Sequence, residues 1–532
     1  MEQKRCLALN RAFSSFDQRV INGGFVQHHG CKYLYSLCVT SAAIFLWSLS
    51  GWATPGLVLL DNPLRRSFTG FASSVAVVGD LDGDQVPDYL IGAYEYHWNG
   101  SLNQGRAFVF SGRSGKVLFT LDNPSPRQDA TRNPHHGPAF GSAVAAAGDV
   151  NRDGVPDVFV GAFNQESSGR AFVFSGKDGT LLYPVQAPQR QPGAGFGWAV
   201  ASLGDLTGDE IPELVVGAFA QDGDGRAFVF NGRDGALLRT LAPAPVSRTT
   251  SAAGGREYRR APGASRQPVL PPPPSGSAFG WSVAGAGDLD GDGVPDILVG
   301  APYTSVGDMP VQGRVYAFRG RDGQRLYTLD DPTPRPGAVF GWHVAAGGDF
   351  NHDGVPDVLV GAPYKDVETS PAQGEAFVFS GADGTPLLSL HNPTPTKAYS
   401  GFGHAVAVSP DINQDGVPEI LVGAPYQTVD QFHIQGEVFL FNGRDGRHLT
   451  TFDNPYPHQG SMFGYSVAVP GDIDGDGVPD IAIGAFGQSM LDKVAVGRVY
   501  VFLSRAERAE AVAEHMRSRK KTAFEGGGAC AP

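Results

Sequence analysis

The chain has 532 residues, enough for several ordinary domains or for one long array of repeats. It contains 72 glycines and 40 prolines, and only 18% of its residues are charged, which is typical of many short strands joined by turns. The formal net charge of −13 gives no support to nucleic-acid binding, which requires a basic surface. No cysteine lies between residues 39 and 529, so disulfides do not hold this part of the chain together.

Residues 1–53 are predicted to be a signal peptide or a signal anchor. A largely apolar run extends from Tyr33 to Leu49, and the small residues Gly51 and Ala53 fit a signal-peptidase site. A buried helix is the alternative for this run, but the sequence offers no partner helices. We therefore expect a secreted or cell-surface protein, attached to a membrane only if the leader stays uncleaved.

Residues 54–504 repeat one pattern with a period of about 60 residues, a length that indicates propellers or solenoids. Each repeat has an aromatic-glycine pair, an apolar strand, an acidic loop, a strand ending in Gly-Ala, a third strand, a tight turn and a fourth strand. The last repeat stops after its third strand, and the missing fourth strand matches residues 57–60. The pattern predicts an all-β fold, a seven-bladed β-propeller of four-stranded antiparallel blades that the N-terminal strand closes.

A nine-residue acidic loop follows the first strand of every repeat. Loop 1 places Asp80, Asp82, Asp84 and Asp88 at positions 1, 3, 5 and 9, where their oxygens can point toward one centre. Ca²⁺ prefers six to eight oxygen ligands at about 2.3–2.6 Å, and the carbonyl of Val86 would add one more. Asp-Gly runs also form plain turns, and the EF-hand shares the start of this pattern. The recurrence of the spacing argues against plain turns, and the absence of an acidic residue at position 12 argues against an EF-hand. The pattern therefore favours a calcium-binding loop of another type.

The other six loops repeat this spacing, with side chains at positions 1, 3, 5 and 9 and a carbonyl at position 7. Their predicted ligands are Asp149, Asn151, Asp153, Val155 and Asp157; Asp205, Thr207, Asp209, Ile211 and Glu213; Asp288, Asp290, Asp292, Val294 and Asp296; Asp349, Asn351, Asp353, Val355 and Asp357; Asp411, Asn413, Asp415, Val417 and Glu419; and Asp472, Asp474, Asp476, Val478 and Asp480. We expect up to seven Ca²⁺ ions, with the third loop weakest because a threonine replaces a carboxylate or amide there.

These motifs, such as Phe279-Gly280 and Gly300-Ala301-Pro302, resemble the FG-GAP repeat, and the array over residues 54–504 is similar to the seven-bladed β-propeller of integrin α chains. The resemblance implies calcium in the loops and a function in adhesion or recognition. Only some blades carry such loops in that family, whereas all seven do here. The inserted domain, leg domains and C-terminal membrane helix of an α chain are not found, so we expect a free-standing, monomeric propeller.

The strand order predicts that the acidic loops share one face, the metal-loop face. The loops between second and third strands lie on the opposite, variable-loop face, where we expect an extracellular protein or glycan ligand. These variable loops are 95–104, 163–168, 219–224, 302–312, 363–373, 425–435 and 486–496. Aromatic residues near them can contact a ligand or pack between blades: Tyr94, Tyr96, His97, Trp98, Tyr303, Tyr364 and Tyr426.

Two further segments differ in composition from the repeats. Residues 242–278 are rich in proline, serine, alanine and arginine, and we expect a disordered loop insertion. Residues 505–532 are predicted to form a basic helical or disordered tail.

Two other functions compete with adhesion. A carbohydrate-binding lectin would use aromatic and polar clusters on the variable-loop face, and the propeller could also be part or all of a secreted hydrolase or lyase. Quinoprotein dehydrogenases share the Asp-Gly turn but place a tryptophan shortly after it. The corresponding residues here are Leu118, Leu182, Leu237 and Leu387. Because no nucleophile–base pair is evident from spacing, we expect a non-enzymatic protein.

Overall fold

The computed structural model describes residues 56–97, 103–126, 137–243, 276–368, 370–395, 399–490 and 493–504. These residues form seven four-stranded antiparallel sheets, which are the blades of a seven-bladed β-propeller. The predicted fold is therefore confirmed. The leader 1–53, nearly all of the insertion 242–278 and the tail 505–532 lie outside the described residues, as does Trp98.

The strands follow the chain from the innermost to the outermost position of each blade. Blade 1 contains β2 (Phe71–Gly79), β3 (Asp88–Ala93), β4 (Arg106–Phe110) and β5 (Val117–Asp122). Blade 2 contains β6 (Phe140–Gly148), β7 (Asp157–Ala162), β8 (Arg170–Phe174) and β9 (Leu181–Val185). Blade 3 contains β10 (Phe196–Gly204), β11 (Glu213–Ala218), β12 (Arg226–Phe230) and β13 (Leu237–Leu241). Blade 4 contains β14 (Ser282–Gly287), β15 (Asp296–Ala301), β16 (Arg314–Phe318) and β17 (Arg325–Leu329).

The remaining blades repeat this order. Blade 5 contains β18 (His343–Ala346), β19 (Val358–Ala362), β20 (Glu375–Phe379) and β21 (Pro386–His391). Blade 6 contains β22 (Ala405–Ser409), β23 (Glu419–Ala424), β24 (Glu437–Asn442) and β25 (His448–Asp453). Blade 7 contains β26 (Phe463–Gly471), β27 (Asp480–Ala485), β28 (Arg498–Phe502) and the N-terminal β1 (Leu57–Asp61). A 3₁₀ turn at Gln165–Ser167 is the one helical element among the described residues, and no described helix is long and apolar enough to cross a membrane.

The N-terminal strand closes the ring. β1 pairs antiparallel with β28, with Leu57 opposite Phe502 and Asp61 opposite Arg498. The Arg498 Nε atom lies 2.6 Å from Asp61 Oδ1, so an ion pair accompanies the backbone ladder. Closure leaves blade 7 with a full set of four strands and covers the edge of β28 that would otherwise be exposed.

The core lies between neighbouring blades, whose facing surfaces share apolar clusters. The second strand of each blade is buried along its whole length, as in β3 and β7. The phenylalanine of the aromatic-glycine pair lies in the seam with the preceding blade; Phe140, for example, packs among apolar residues of blade 1 and edge-on against Phe174 of its own blade, with ring centroids 5.9 Å apart. Aromatic pairs of this geometry stabilise a core beyond the area that they bury.

The glycine of each Gly-Ala motif allows close approach of two blades. A Cβ atom on Gly92 would lie 2.0 Å from the carbonyl oxygen of Gly141 in blade 2. Gly141 itself has a φ of +84°, a conformation that side chains other than glycine rarely adopt. The FG and GA motifs are thus two halves of one backbone contact between neighbouring blades.

Candidate metal centres and ligand-binding face

The first acidic loop is held in its conformation by its own carboxylates. Asp80 Oδ1 accepts hydrogen bonds from the backbone N–H groups of Gly83 and Asp84, at 2.7 and 3.1 Å. Asp80 Oδ2 accepts a bond from Gln85 N–H at 2.7 Å, and Asp84 Oδ1 accepts one from Val86 N–H at 2.9 Å. Equivalent bonds to positions 5, 6 and 7 recur in the other six loops. The sequence therefore sets a common backbone trace around each candidate centre.

The ninth residue of each loop is buried and ties the loop to its blade. Asp88 is 0% exposed; its Oδ2 atom accepts a hydrogen bond from Leu81 N–H at 2.8 Å, and its Oδ1 atom accepts one from Gly112 N–H at 2.9 Å. All seven ninth residues accept a bond from the backbone of position 2. A carboxylate oxygen keeps a second acceptor site, so this structural role leaves room for a cation.

Four loops gather three carboxylates whose oxygens lie within 4.8 Å of one another. The groups are Asp80, Asp82 and Asp88; Asp205, Asp209 and Glu213; Asp288, Asp290 and Asp296; and Asp472, Asp474 and Asp480. Hard oxygen donors at this spacing fit Ca²⁺, which accepts irregular geometry and mixed carboxylate and carbonyl ligands. The third loop belongs to this set, although its weaker binding remains a prediction.

Loops 2, 5 and 6 carry asparagine at position 3 and therefore present less negative charge. Asn151 Nδ2 donates to Asp153 Oδ2 at 3.3 Å, and Asn351 Nδ2 donates to Asp353 Oδ2 at 2.8 Å. The amide oxygen of each asparagine accepts a hydrogen bond from the backbone of position 5. These loops also present oxygens suited to Ca²⁺, but with one carboxylate fewer in each.

Arginines from the turn between the third and fourth strands reach four of the loops. Arg321 Nε lies 2.8 Å from Asp292 Oδ2, and its Nη2 atom donates to the Asp292 carbonyl at 2.9 Å. Arg113, Arg233 and Arg444 make the corresponding ion pairs in blades 1, 3 and 6. Sequence reasoning missed this role, because the Gly-Arg-Asp-Gly motif was interpreted only as a turn. These guanidinium groups are half-exposed and would compete with a cation for the position-5 carboxylate.

Burial raises the pKa of the ninth residue in every acidic loop. Burial raises the pKa of Asp88, Asp157, Asp296 and Asp480 to about 6, with backbone hydrogen bonds opposing the shift and neighbouring acidic residues adding to it. Burial raises the pKa of Glu419 further, to about 8. A divalent cation favours the ionised form of a nearby carboxylate, so it would offset these unfavourable charges.

The loops on the variable-loop face differ in structure from blade to blade. In blades 4 to 7 the loop between the second and third strands folds back as a small hairpin closed by one antiparallel bridge. The bridged pairs are Val306 with Met309, Val367 with Ser370, Val429 with Phe432, and Met490 with Lys493. We call these four segments the loop hairpins. Asp308, Glu368 and Asp430 are exposed at three of their tips, and the neighbouring Val494 is 55% exposed.

Aromatic side chains encircle the propeller axis near this face. In blades 3 to 7 the aromatic residue after the FG pair packs against the aromatic residue that follows Gly-Ala or Gly-Ala-Pro, and neighbouring ring centroids are 4.5 to 6.3 Å apart. This axial aromatic ring consists of Phe163, Trp198, Phe219, Trp281, Tyr303, Trp342, Tyr364, His404, Tyr426, Tyr465, Phe486 and Tyr94. Serines occupy the equivalent position in blades 1 and 2, at Ser73 and Ser142.

The structure assigns different positions to the aromatic residues singled out in the sequence. Tyr303 and Tyr426 belong to the axial ring and pack against neighbouring rings rather than standing free. Tyr96 is 2% exposed and lies under the guanidinium groups of Arg66 and Arg106, whereas His97 is exposed. Sequence spacing alone did not reveal the ring, because its two contributing positions in a blade are separated by a strand, the acidic loop and another strand.

His404 is the histidine most deeply placed in the axial ring. It is 6% exposed, and its ring centroid lies 4.5 Å from that of Tyr465 and 5.8 Å from that of Trp342. Burial, with a smaller contribution from the nearby His343, lowers its pKa to about 3. At neutral pH the imidazole is therefore uncharged and contributes to packing of the ring.

Comparison with known proteins matches these repeats. The FG-GAP repeat profile matches residues 279–318 and 340–379, and the FG-GAP-like repeat profile matches residues 149–216 and 411–483. The first two segments each begin at the phenylalanine of an FG pair and end with the third strand of the same blade. The family pattern therefore follows the blade that the structure shows.

Similar proteins include several integrin α chains. Integrin alpha-5 of Xenopus laevis is 34% identical over 224 residues, which is 40% of this chain and 20% of that protein. Human integrin alpha-IIb is 34% identical over 229 residues, covering 40% of this chain and 20% of that protein. Integrin alpha pat-2 of Caenorhabditis elegans is 31% identical over 230 residues, covering 39% and 18%. The aligned region spans about a fifth of these relatives. The chain contains segments that match the FG-GAP repeat profiles, and its β-propeller region is similar to integrin α chains.

Proposed function

We propose that this chain is an exported, calcium-binding recognition module that acts in adhesion and has no enzymatic activity. The observation that carries the proposal is the recurrence of one oxygen-rich loop in every blade, with carboxylates brought together in four of them. The similarity to integrin α chains supports the adhesive role. The proposed boundaries are a leader over 1–53, a propeller over 54–504 and a tail over 505–532.

Calcium would stabilise the metal-loop face rather than contact the ligand. In loop 1 the carboxylates of Asp80, Asp82, Asp84 and Asp88 and the carbonyl of Val86 would hold the ion. The corresponding residues would hold it in the other loops. The ion supplies positive charge that offsets repulsion among these carboxylates. Extracellular calcium modules commonly bind with dissociation constants of about 10⁻⁴–10⁻³ M, so physiological calcium would occupy such sites.

The variable-loop face is the proposed ligand surface. The loop hairpins of blades 4 to 7 project from a rigid ring, which is the usual arrangement of a binding site on loops. Asp308, Glu368 and Asp430 give these tips negative charge. We propose that the chain works as a monomer and binds an extracellular protein through this face.

The test is binding of the purified full chain, with calcium, to arrays of extracellular proteins and glycans. One variant combines Asp308→Ala, Glu368→Ala and Asp430→Ala at the hairpin tips. The matched control combines Asp178→Ala, Asp234→Ala and Asp383→Ala, which lie in exposed turns on the metal-loop face. Loss of protein binding in the tip variant alone would support the proposal. Equal binding by both variants would contradict the assigned face, and glycan-only binding would favour a lectin.

A further inference from the structure

Three seams between blades share one amide–amide hydrogen bond, which is buried in two of them. An asparagine that follows the outer strand of one blade donates to a glutamine that follows the second strand of the next blade. The bonds join Asn123 to Gln165 at 2.9 Å, Asn392 to Gln427 at 3.0 Å, and Asn454 to Gln488 at 2.8 Å. This pair fastens neighbouring blades together near the variable-loop face.

The seam between blades 4 and 5 carries charged residues at the same two positions. Asp331 stands at the asparagine position and Lys365 stands at the glutamine position, with Lys365 Nζ 2.6 Å from Asp331 Oδ1. Glu375 adds a second carboxylate, because its Oε2 atom lies 2.6 Å from the same Nζ. A buried amide pair has thus been replaced by an amine between two acids.

The three side chains of this cluster are almost free of solvent, and the exposed His391 borders it, with Nδ1 3.0 Å from Glu375 Oε1. The side chains of Lys365, Asp331 and Glu375 are 2%, 0% and 7% exposed. The ring of Phe377 lies 4.7 Å from Lys365 Nζ, and Thr333 Oγ1 lies 2.6 Å from it. Asp331 Oδ2 has no hydrogen-bond partner among the described residues. A desolvated ion pair contributes little net stability, so the replacement of a satisfied amide pair calls for another explanation.

We propose that Lys365 and Asp331 form an intramolecular amide bond, with Glu375 as the proton carrier. The contact at Oδ1 holds Nζ close to Asp331 Cγ, as required for attack, for which reacting atoms lie about 3–3.5 Å apart. Fixed proximity of this kind replaces a bimolecular collision and favours a reaction that is slow in solution. The water-poor surroundings favour loss of water and protect the product from hydrolysis.

The reaction is a condensation whose atoms and charges balance. Glu375 carries one proton from the Lys365 ammonium to Asp331 Oδ2, and the neutral amine then attacks Cγ of the neutral carboxyl group to form the C–N bond. Glu375 carries a second proton from Nζ to Oδ2. The C–Oδ2 bond then breaks and water leaves. One ammonium and one carboxylate become one amide and one water, with one proton kept on nitrogen and no oxidant required.

The product would be a covalent cross-link between two blades. It would join positions 34 residues apart, linking the end of the outer strand of blade 4 to the second strand of blade 5. Because no cysteine lies between residues 39 and 529, this bond would provide the cross-link that a disulfide supplies in other exported proteins. It would resist both reduction and chelation, and it depends on neither calcium nor a ligand.

Mass spectrometry of the intact chain tests the proposal directly. The full chain should be lighter than its sequence mass, after any leader cleavage, by one water. Proteolysis should yield a branched peptide that joins the segments containing Asp331 and Lys365, and trypsin should not cleave after Lys365. A full mass with an unmodified Lys365 after prolonged incubation of the folded chain would overturn the proposal.

Two variants serve as controls. Lys365→Gln combined with Asp331→Asn recreates the amide pair found at three other seams, and it should fold, keep the full mass and unfold at least about tenfold faster than the wild type. Glu375→Gln should keep the full mass or cross-link far more slowly, because it cannot carry the protons. Loss of water that persists in the double variant would place the condensation elsewhere and contradict the assignment.

Discussion

At the residue scale, the ninth position of each acidic loop combines an observed structural role with a proposed role as a metal ligand. Asp88 accepts hydrogen bonds from Leu81 N–H and Gly112 N–H, and it also belongs to a group of carboxylates suited to a cation. The sequence predicted the second function from spacing. It could not indicate the first, because Gly112 lies on another hairpin and its approach depends on the folded blade.

Replacing Asp88 by alanine should destabilise the protein even without metal. Two buried backbone N–H groups would lose their acceptor, at a cost of about 1–3 kcal/mol each. Asp82→Ala is the matched control, since Asp82 is exposed and accepts one longer bond, at 3.2 Å from Asp84 N–H. Urea unfolding in EDTA should show a much larger loss for Asp88→Ala. Equal losses would show that the ninth residue acts only as a metal ligand.

The raised pKa values of the ninth residues predict an unusual pH dependence. The folded, metal-free chain holds protons on Asp88, Asp157, Asp296 and Asp480 up to a pH of about 6, whereas unfolded aspartates lose theirs near pH 4. Stability of the metal-free protein should therefore decline as pH rises from about 4 through 6. Calcium should reduce this decline, because it favours the ionised form.

This pH dependence can be tested by measuring the urea midpoint of unfolding at pH 5 and at pH 7, both in EDTA and in calcium. The control replaces the four aspartates with asparagine, which does not titrate, and it should show a flatter profile in EDTA. A metal-free protein that is more stable at pH 7 than at pH 5 would contradict the raised pKa values of the four aspartates.

At the element scale, the turn between the third and fourth strands contacts the acidic loop beside it in four blades, and we expect its arginine to compete with a cation. Arg321 lies 2.8 Å from Asp292 Oδ2 and is 59% exposed, so it can leave when a cation binds. Arg321→Gln should raise the calcium affinity of loop 4 several-fold, since a competing positive charge is removed. The readout is the calcium concentration that gives half of the rise in thermal midpoint, with Arg325→Gln, on the exposed outer strand, as control. An unchanged or lower calcium affinity in Arg321→Gln would contradict competition between Arg321 and the cation.

Much of the blade could be predicted from the sequence, because its determinants are local. The FG pair, the acidic loop, the Gly-Ala motif and the Asp-Gly turn recur in order, and each specifies one strand end or turn. The axial aromatic ring and the Lys365 cluster could not be predicted in this way. Trp281 meets Trp342 across a seam, and Lys365 meets Asp331 from the preceding blade, so these contacts depend on how whole blades are placed.

At the scale of the whole molecule, ring closure depends on one strand. The match between residues 57–60 and the outer strands of other blades predicted that β1 would complete blade 7, and the pairing of β1 with β28 confirms it. The prediction succeeded because the missing fourth strand of the last repeat and the extra strand at the N-terminus are complementary. The Asp61–Arg498 ion pair repeats the Asp122–Arg106 pair of blade 1.

Deleting residues 1–61 should open the ring, whereas deleting residues 1–53 should not. The shorter deletion keeps β1, but the longer one leaves β28 with an unpaired edge that favours association with other chains. We expect the longer deletion to lower the thermal midpoint markedly and to give oligomers in size-exclusion chromatography. A monomeric product with unchanged stability would show that β1 is dispensable for closure.

The central claim is that the acidic loops are calcium sites that stabilise the propeller. The most direct measurement is thermal unfolding of the full chain in EDTA, in Ca²⁺ and in Mg²⁺, beside a variant with Asp80→Asn, Asp288→Asn and Asp472→Asn. Each site occupied at 100 times its dissociation constant should add about 2.7 kcal/mol to the free energy of unfolding. A large, calcium-specific rise in the midpoint that shrinks in the variant is the expected result. A midpoint that calcium does not change, or that magnesium raises equally, would contradict the claim.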